Sequence, residues 1–345
     1  MSRRCSAPST SAPTAPSPRN ASATKAGNPM PAPSRRRFLA LASLATTATT
    51  AAPQEPTFSS SITLIRVDAE VLQDDRMIEG LTADDFEVLD NGQPQRVRNL
   101  SRDLEPLDIV LLFDISGSME WVAQKVATAA ERALAALQSG DRAAVMTFHT
   151  WQDLVEPLTD EMPHIVEAVR LKVLRSRFGG GTHLTAAAGE AVKILAAAEG
   201  GRRRAVIALT DNRGTASRRE DRVLNEYWEA DAILCGIITV QDPRQFAEWK
   251  SRQIGPQLAI PEQGLGNLIL QTGGAAITTD EPGIALEDML RRLRSRYTLY
   301  YSMPASAQPG KARKTQVRLR GAAAQRYPNA RIRARGGYLA PRSVE

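Results

Sequence analysis

Between residue 108 and about residue 296, short apolar runs alternate with longer stretches whose apolar positions recur every three to four residues. The runs fall at 109–114, 143–150, 154–158, 205–210, 232–240 and 275–279, and most are rich in Val, Ile, Leu and Ala. A strand needs such continuity when both its faces are covered. The alternation therefore predicts an α/β fold with a central, mostly parallel sheet and helices on each side. The helical periods lie near 122–138, 164–174, 184–199, 219–230, 265–272 and 284–295. The run at 154–158 carries the weakest strand signal and has an antiparallel edge as its alternative.

On either side the period changes to two. Runs at 62–71, 85–89 and 94–100 precede the α/β region, with Asp90-Asn91-Gly92 as a hairpin turn. Runs at 298–301, 315–320 and 331–335 follow it, and in Val317-Arg318-Leu319-Arg320 and Arg331-Ile332-Arg333-Ala334-Arg335 arginine lines one face. Neither segment has enough strands to be stable alone, so the two are expected to pair in space, as a small β-sandwich at one end of the main domain. The expected organisation is a leader at 1–51, a β segment at 58–104, the α/β domain at 106–296 and a second β segment at 297–340.

Charge changes this picture once it is located. The 345 residues carry a net charge of +6, which by itself suggests a polyanionic partner. Seven basic residues and no acid fall in 1–51, and 291–345 holds 14 basic residues against Glu345 alone. The body at 52–290 has 23 basic against 37 acidic residues and is acidic. The basic tail can face that body or solvent, or it can bind an anionic polymer; nucleic acid is not expected as the main partner. Cys5 lies in the leader and Cys235 in an apolar run, so Cys235 reads as a small core residue.

Residues 1–33 are dominated by Ser, Ala, Pro and Thr and show no core-forming period. From Ser34 the chain reads S-R-R-R-F-L-A, followed by a mildly apolar stretch to residue 52. The pair Arg35 and Arg36, with Phe38 and Leu39 behind them, resembles a twin-arginine export signal. The stretch falls short of the roughly 20 residues needed to span a bilayer. The mature chain is thus expected to be exported, periplasmic or extracellular, without a membrane span, after cleavage near Thr49-Thr50-Ala51; Met30 is an alternative start to Met1.

The candidate chemistry sits at the ends of predicted strands. The run at 109–113 leads into Asp114-Ile115-Ser116-Gly117-Ser118, so a carboxylate and two hydroxyls emerge at the carboxyl end of a central strand, where open α/β sheets bind ligands. Gly180-Gly181-Thr182 offers another hydroxyl ahead of a helix, and Leu209-Thr210-Asp211 closes a strand with a second carboxylate. Hard cations such as Mg²⁺ take oxygen ligands of this kind.

D-x-S-x-S, then G-G-T, then strand-T-D together resemble the metal-ion-dependent adhesion site of the von Willebrand factor A family. The resemblance implies a Rossmann-like domain in which Ser116, Ser118 and Thr182 bind Mg²⁺, or Mn²⁺ or Ca²⁺, directly or through water, with Asp114 and Asp211 as the anionic members. It also implies the function: metal-dependent protein binding or adhesion, with an acidic side chain of a protein partner filling an open coordination position. One departure is Asn212-Arg213-Gly214 after Asp211, where the family often has Gly directly. Residues 80–93, Thr272-Gly273-Gly274, 297–301 and Arg335-Gly336-Gly337-Tyr338 extend the resemblance to a bacterial group of exported proteins related to these domains, over roughly 60–340.

Other chemistries fit less well. An acyl-transfer enzyme could draw on Ser116 or Ser118 with His149 or His183 and Asp211, but no G-x-S-x-G surrounds either serine. A phosphoryl-transfer enzyme of the haloacid-dehalogenase type wants a second Asp where Ser116 stands. No phosphate loop, dinucleotide fingerprint or zinc spacing occurs. An enzyme acting on a small-molecule substrate is therefore not expected, and a metal-dependent hydrolase ranks behind two binding roles. The first is cation-dependent adhesion; the alternative is an exported scaffold with a structural metal and a polymer-binding tail. Trp121, and the polar insert at 241–263 with Trp249, can shape the rim of the metal face or simply pack.

Overall fold

The structure is a computed structural model that describes residues 63–102, 105–215, 218–240 and 263–341, all within the unit Ser59–Glu345. The leader with Arg35 and Arg36, the cleavage region and most of the 241–263 insert lie outside the described residues. No helix among the described residues is long and apolar enough to cross a membrane.

The chain opens with β1 (Leu64–Gln73), β2 (Arg76–Met77), β3 (Phe86–Asp90) and β4 (Gln93–Arg102). It continues through β5 (Leu107–Asp114), α1 (Glu120–Leu134), β6 (Arg142–Phe148), β7 (Gln152–Thr159) and α2 (Met162–Glu167), which runs on as a wider π-helical stretch, Ala168–Val173. Then come α3 (Leu184–Ala196), β8 (Arg203–Thr210), α4 (Glu220–Glu229), β9 (Ala232–Thr239), α5 (Gly266–Thr272), β10 (Ala276–Thr279) and α6 (Pro282–Arg294). The remaining elements are β11 (Tyr297–Ser302), β12 (Ala312–Leu319), α7 (Gly321–Arg326), β13 (Arg331–Ala334) and β14 (Gly337–Leu339).

Six strands form the expected α/β sheet, in the order β10-β9-β8-β5-β6-β7. All pairings are parallel except that of β7, which runs antiparallel at the edge with its register slipping around Val145. Every residue of β5 and β9 is buried, as strands covered on both faces require. One core cluster joins α1, α6 and the π-helical stretch to one face of the sheet. A second joins α3, α4 and α5 to the other. The first long helix stops at Leu134 rather than at 138, because the Asp141 carboxylate takes the amides of Gln138 (2.8 Å) and Leu107 (2.9 Å) and turns the chain into β6.

The flanking segments pair with each other strand by strand. They form one eight-stranded sheet in the order β13-β1-β11-β4-β3-β12-β14, with β2 added to β1, rather than the expected small β-sandwich, because β4 pairs with both β11 and β3 and joins the strands into one sheet. β1–β11, β11–β4 and β3–β12 join residues more than 190 positions apart. Asn91 and Gly92, with φ of 48° and 79°, make the two-residue turn between β3 and β4. Buried side chains of β1, β3, β4, β11, β12 and β14 form a single third core. At its centre Asp90, fully buried, accepts bonds from Tyr301 (3.0 Å), Tyr338 (2.8 Å) and Arg313 (2.6 Å).

The two sheets meet through an ionic layer. Its arginines serve the carbonyl ends of helices, where partial negative charge accumulates. Arg203 donates to Leu293 O (2.5 Å) and Arg294 O (3.2 Å) at the end of α6, and Arg204 to Ala230 O (2.9 Å) after α4 and Ala198 O (2.6 Å) after α3. Arg296, 1% exposed, donates to Gly273 O (2.5 Å), Arg333 O (3.0 Å) and Asp68 O (3.4 Å). On the β1 side stand Asp68 and Glu70. Burial raises both carboxyls, but Arg203, Arg66 and Arg296 around Asp68, and Arg296, Arg292 and Arg333 around Glu70, hold both below the usual range. The basic tail contributes to the same pattern: Arg313 pairs with Asp90, Arg318 with Glu87, Arg331 with Asp75, Arg333 with Glu70 and Arg335 with Asp231. Much of the tail's charge is thus directed at the acidic body.

Candidate functional site

β5, β8 and β6 end side by side, so the residues that follow them share one edge. Asp114, the last residue of β5, is 3% exposed and Ser116 5%. The Asp114 carboxylate accepts Ser116 N at Oδ1 (2.8 Å) and the Thr210 hydroxyl, from the end of β8, at Oδ2 (2.6 Å). Ser116 Oγ and Ser118 Oγ lie 3.2 Å apart, and Ser118 Oγ donates to Asp211 Oδ2 (2.8 Å). One hydrogen-bonded chain thereby joins Thr210, Asp114, Ser116, Ser118 and Asp211. Burial pushes the Asp114 carboxyl above its usual range and the neighbouring Asp211 carboxylate adds to this, while the bonds from Thr210 and Ser116 pull the other way. Among the described residues neither carboxylate has an ion-pair partner.

The loop at 179–183 is laid against this edge by backbone contacts. Gly179 N donates to Ile115 O (3.0 Å), Gly181 N to the Thr150 hydroxyl (3.0 Å) and His183 N to His149 O (3.1 Å). Thr182 adjoins the Asp211 turn, its carbonyl accepting Thr215 N (2.9 Å). Gly214 sits so close that a Cβ there would meet Thr182 O at 2.5 Å, which excludes any side chain without movement. Four of the five candidate residues, Asp114, Ser116, Ser118 and Asp211, are thus joined directly; Thr182 is brought alongside through its backbone. Among the described residues no group of three or more His, Cys, Asp and Glu is arranged to hold a metal, so a cation here would depend on the hydroxyls.

The Ser118 proton is directed to Asp211, and the His149 ring is turned against Gly180, where a Cβ would lie 3.1 Å from Nδ1. Thr210, Thr150 and Asn212 are additions to the candidate set. Thr210 stands in the Thr-Asp pair read from the sequence, but its bond to Asp114 spans 96 positions and carries no local signal.

Comparison with known proteins places this edge within a family. Residues 109–214, which include all five candidate residues, match the family model of the von Willebrand factor type A domain. None of the curated proteins matches the chain. Among solved structures, the chain is similar to a conserved hypothetical protein, BatB, of Bacteroides thetaiotaomicron, at 16% identity over 54% of this chain and 97% of that one, with a TM-score of 0.39. A von Willebrand factor type A protein of Catenulispora acidiphila is similar at 13% identity over 83% and 76%, with a TM-score of 0.42. The vWF domain of the type V pili tip protein Mfa5 of Porphyromonas gingivalis is similar at 19% identity over 31% and 38%, with a TM-score of 0.27. On the family match, together with the six-stranded sheet and its helices, the chain carries a von Willebrand factor type A domain, and the edge at Asp114 belongs to it.

Proposed function

We propose that this chain binds a partner protein through a divalent cation held at the carboxyl edge of the parallel sheet, with Mg²⁺ as the expected ion and Mn²⁺ or Ca²⁺ as alternatives. The observation that carries the reading is the run of oxygens Ser116 Oγ, Ser118 Oγ and Asp211 Oδ2, spaced 3.2 and 2.8 Å. Neighbouring ligands of an octahedral ion with bonds of 2.0–2.1 Å lie about 3 Å apart, so the donors suit a hard cation in type and in spacing. Ser116, Ser118 and Thr182 would hold it directly or through water, with Asp114 and Asp211 as the anionic members. A bound ion would supply a positive centre with a position open to a carboxylate.

The residues favour a ligand-seeking ion over a saturated one. Both oxygens of Asp114 already accept hydrogen bonds, and the hydroxyls are neutral. An acidic side chain of a partner is then the natural completing ligand. The reading is non-enzymatic: the serine hydroxyls and Asp211 are taken as a connected oxygen set that suits a cation. Polymer binding by the tail is less favoured, because five of its arginines pair with carboxylates of the body. Export, if residues 34–52 act as a twin-arginine signal, would set this binding outside the cytoplasm.

Calorimetric titration of the full chain with Mn²⁺ and Mg²⁺ tests the reading. The wild type is expected to bind and Asp114→Ala and Ser118→Ala to lose binding. Chelator-sensitive capture of an extracytoplasmic protein by the wild type alone would follow. Absence of cation binding in the wild type, with and without candidate partners, would overturn the proposal in favour of a metal-independent scaffold.

A further inference from the structure

Asn212 follows Asp211 in the left-handed region, with φ of 59°. Asn tolerates this conformation better than most residues, but Gly does so at less cost, so backbone conformation alone does not account for Asn. Its side chain does. The amide bridges to the turn at 263–265 at both ends: Nδ2 donates to Gln263 O (2.8 Å) and Oδ1 accepts Leu265 N (2.9 Å). Between these two contacts Gly264, with φ of 65°, passes so close that a Cβ would lie 2.2 Å from Asn212 Oδ1. Leu265 is fully buried at the start of α5, so the bridge ends on the core.

The backbone of Asn212 reaches the other way. Its N–H donates to the Thr210 hydroxyl (3.0 Å), the same hydroxyl that donates to Asp114. Two residues further on, Gly214 and Thr215 meet Thr182. The short turn that carries the Asp211 carboxylate is therefore tied at three points, to the β5 edge, to the 179–183 loop and, among the described residues through the Asn212 side chain, to the head of α5.

We propose that Asn212 is a positioning residue that sets the cation affinity of this edge by holding the Asp211 turn against residues 263–265. The inference rests on the cation-binding reading of the site. A carboxylate ordered before the ion arrives does not lose that freedom on binding, so a tethered turn binds more tightly than a free one. Residues that orient metal ligands from behind typically change affinity by about 10- to 100-fold when replaced. Asn212→Gly keeps the left-handed conformation and removes both bridge bonds, and is expected to weaken Mn²⁺ binding by roughly tenfold. Gly264→Ala attacks the same contact from the opposite side, leaving Asn212 in place, and is expected to act in the same direction.

Mn²⁺ titration by calorimetry on the full chain decides the matter, with Asp114→Ala as the control and melting in chelator as the second readout. Weaker binding in Asn212→Gly with an unchanged melting temperature in chelator supports the proposal. Wild-type affinity in Asn212→Gly while Asp114→Ala no longer binds overturns it and leaves the site reading intact. A lower melting temperature with unchanged affinity also overturns it and makes Asn212 a stabilising residue only. Failure of the wild type itself to bind Mn²⁺ removes the site reading and this inference together.

Discussion

Replacing Asp114 by Asn separates the cost of the candidate site from its use. Asp114 is 3% exposed, lies close to a second carboxylate and has no cationic partner among the described residues. Asn preserves the acceptor for Ser116 N, and its amide can donate to the Thr210 hydroxyl, which has the lone pairs to accept. In chelator the variant should therefore melt within about 2 °C of wild type, or above it, because a buried charge and its repulsion have gone. Cation is a different matter. A ligand at 100 times its Kd stabilises the state that binds it by about 2.7 kcal/mol, and about 2–4 °C per kcal/mol then gives a rise of roughly 5–10 °C in wild type. Asp114→Asn should show little or none of that rise. The assay is thermal unfolding of both proteins in chelator and in excess Mn²⁺. An equal rise in the two proteins would refute the role given to Asp114. A fall of about 10 °C in chelator would show that the carboxylate is needed for the fold instead.

Arg296→Met should destabilise the chain by about 3–5 kcal/mol, since it strands one buried and two part-buried carbonyls and leaves Asp68 and Glu70 with fewer counter-charges; an unchanged urea midpoint would contradict the account of the ionic layer. Asp68 and Glu70 have folded-state pKa values held below the ordinary 3.8 and 4.5, so the stability they add is complete above that range and disappears as the pH falls through the lowered values. The urea midpoint should accordingly fall less between pH 7 and 5 than below pH 4, and Glu70→Gln should flatten the acid limb; a midpoint with the same acid limb in the variant would count against this. Trp151, 71% exposed and just beyond the end of β6, is placed to touch whatever binds the edge. Trp151→Ala should leave Mn²⁺ affinity unchanged and stability within about 0.5 kcal/mol while lowering partner capture; undiminished capture would remove Trp151 from the docking face.

The parallel sheet was legible because strands buried on both faces must be apolar along nearly their whole length, and 109–113 and 232–238 are. The hairpin at Asn91-Gly92 was legible because its turn needs two residues at positive φ, and few dipeptides supply them. The candidate residues were legible as three pieces in register, since each piece is local: Asp114 to Ser118, Gly180 to Thr182, Thr210 to Asp211. Three short elements, β2, α7 and β14, had no signal, because two or three residues in a strand and one turn and a half of helix are too short for a period to show.

Periodicity, turn chemistry and strand-end motifs, all properties of a few neighbouring residues, determined the α/β class, the order of its elements and which side chains stand at the candidate edge. Long-range pairing decided the rest. That β1 lies between β11 and β13, that the tail's arginines meet Glu70, Asp90 and Asp231, and that Asn212 reaches across to Gln263 and Leu265 depend on contacts across 51 to more than 260 positions. A row of arginines on a strand reads the same whether it faces solvent, a polymer or buried carboxylates. Only the packing of the two sheets, which removes water from those charges and makes pairing obligatory, distinguishes the cases.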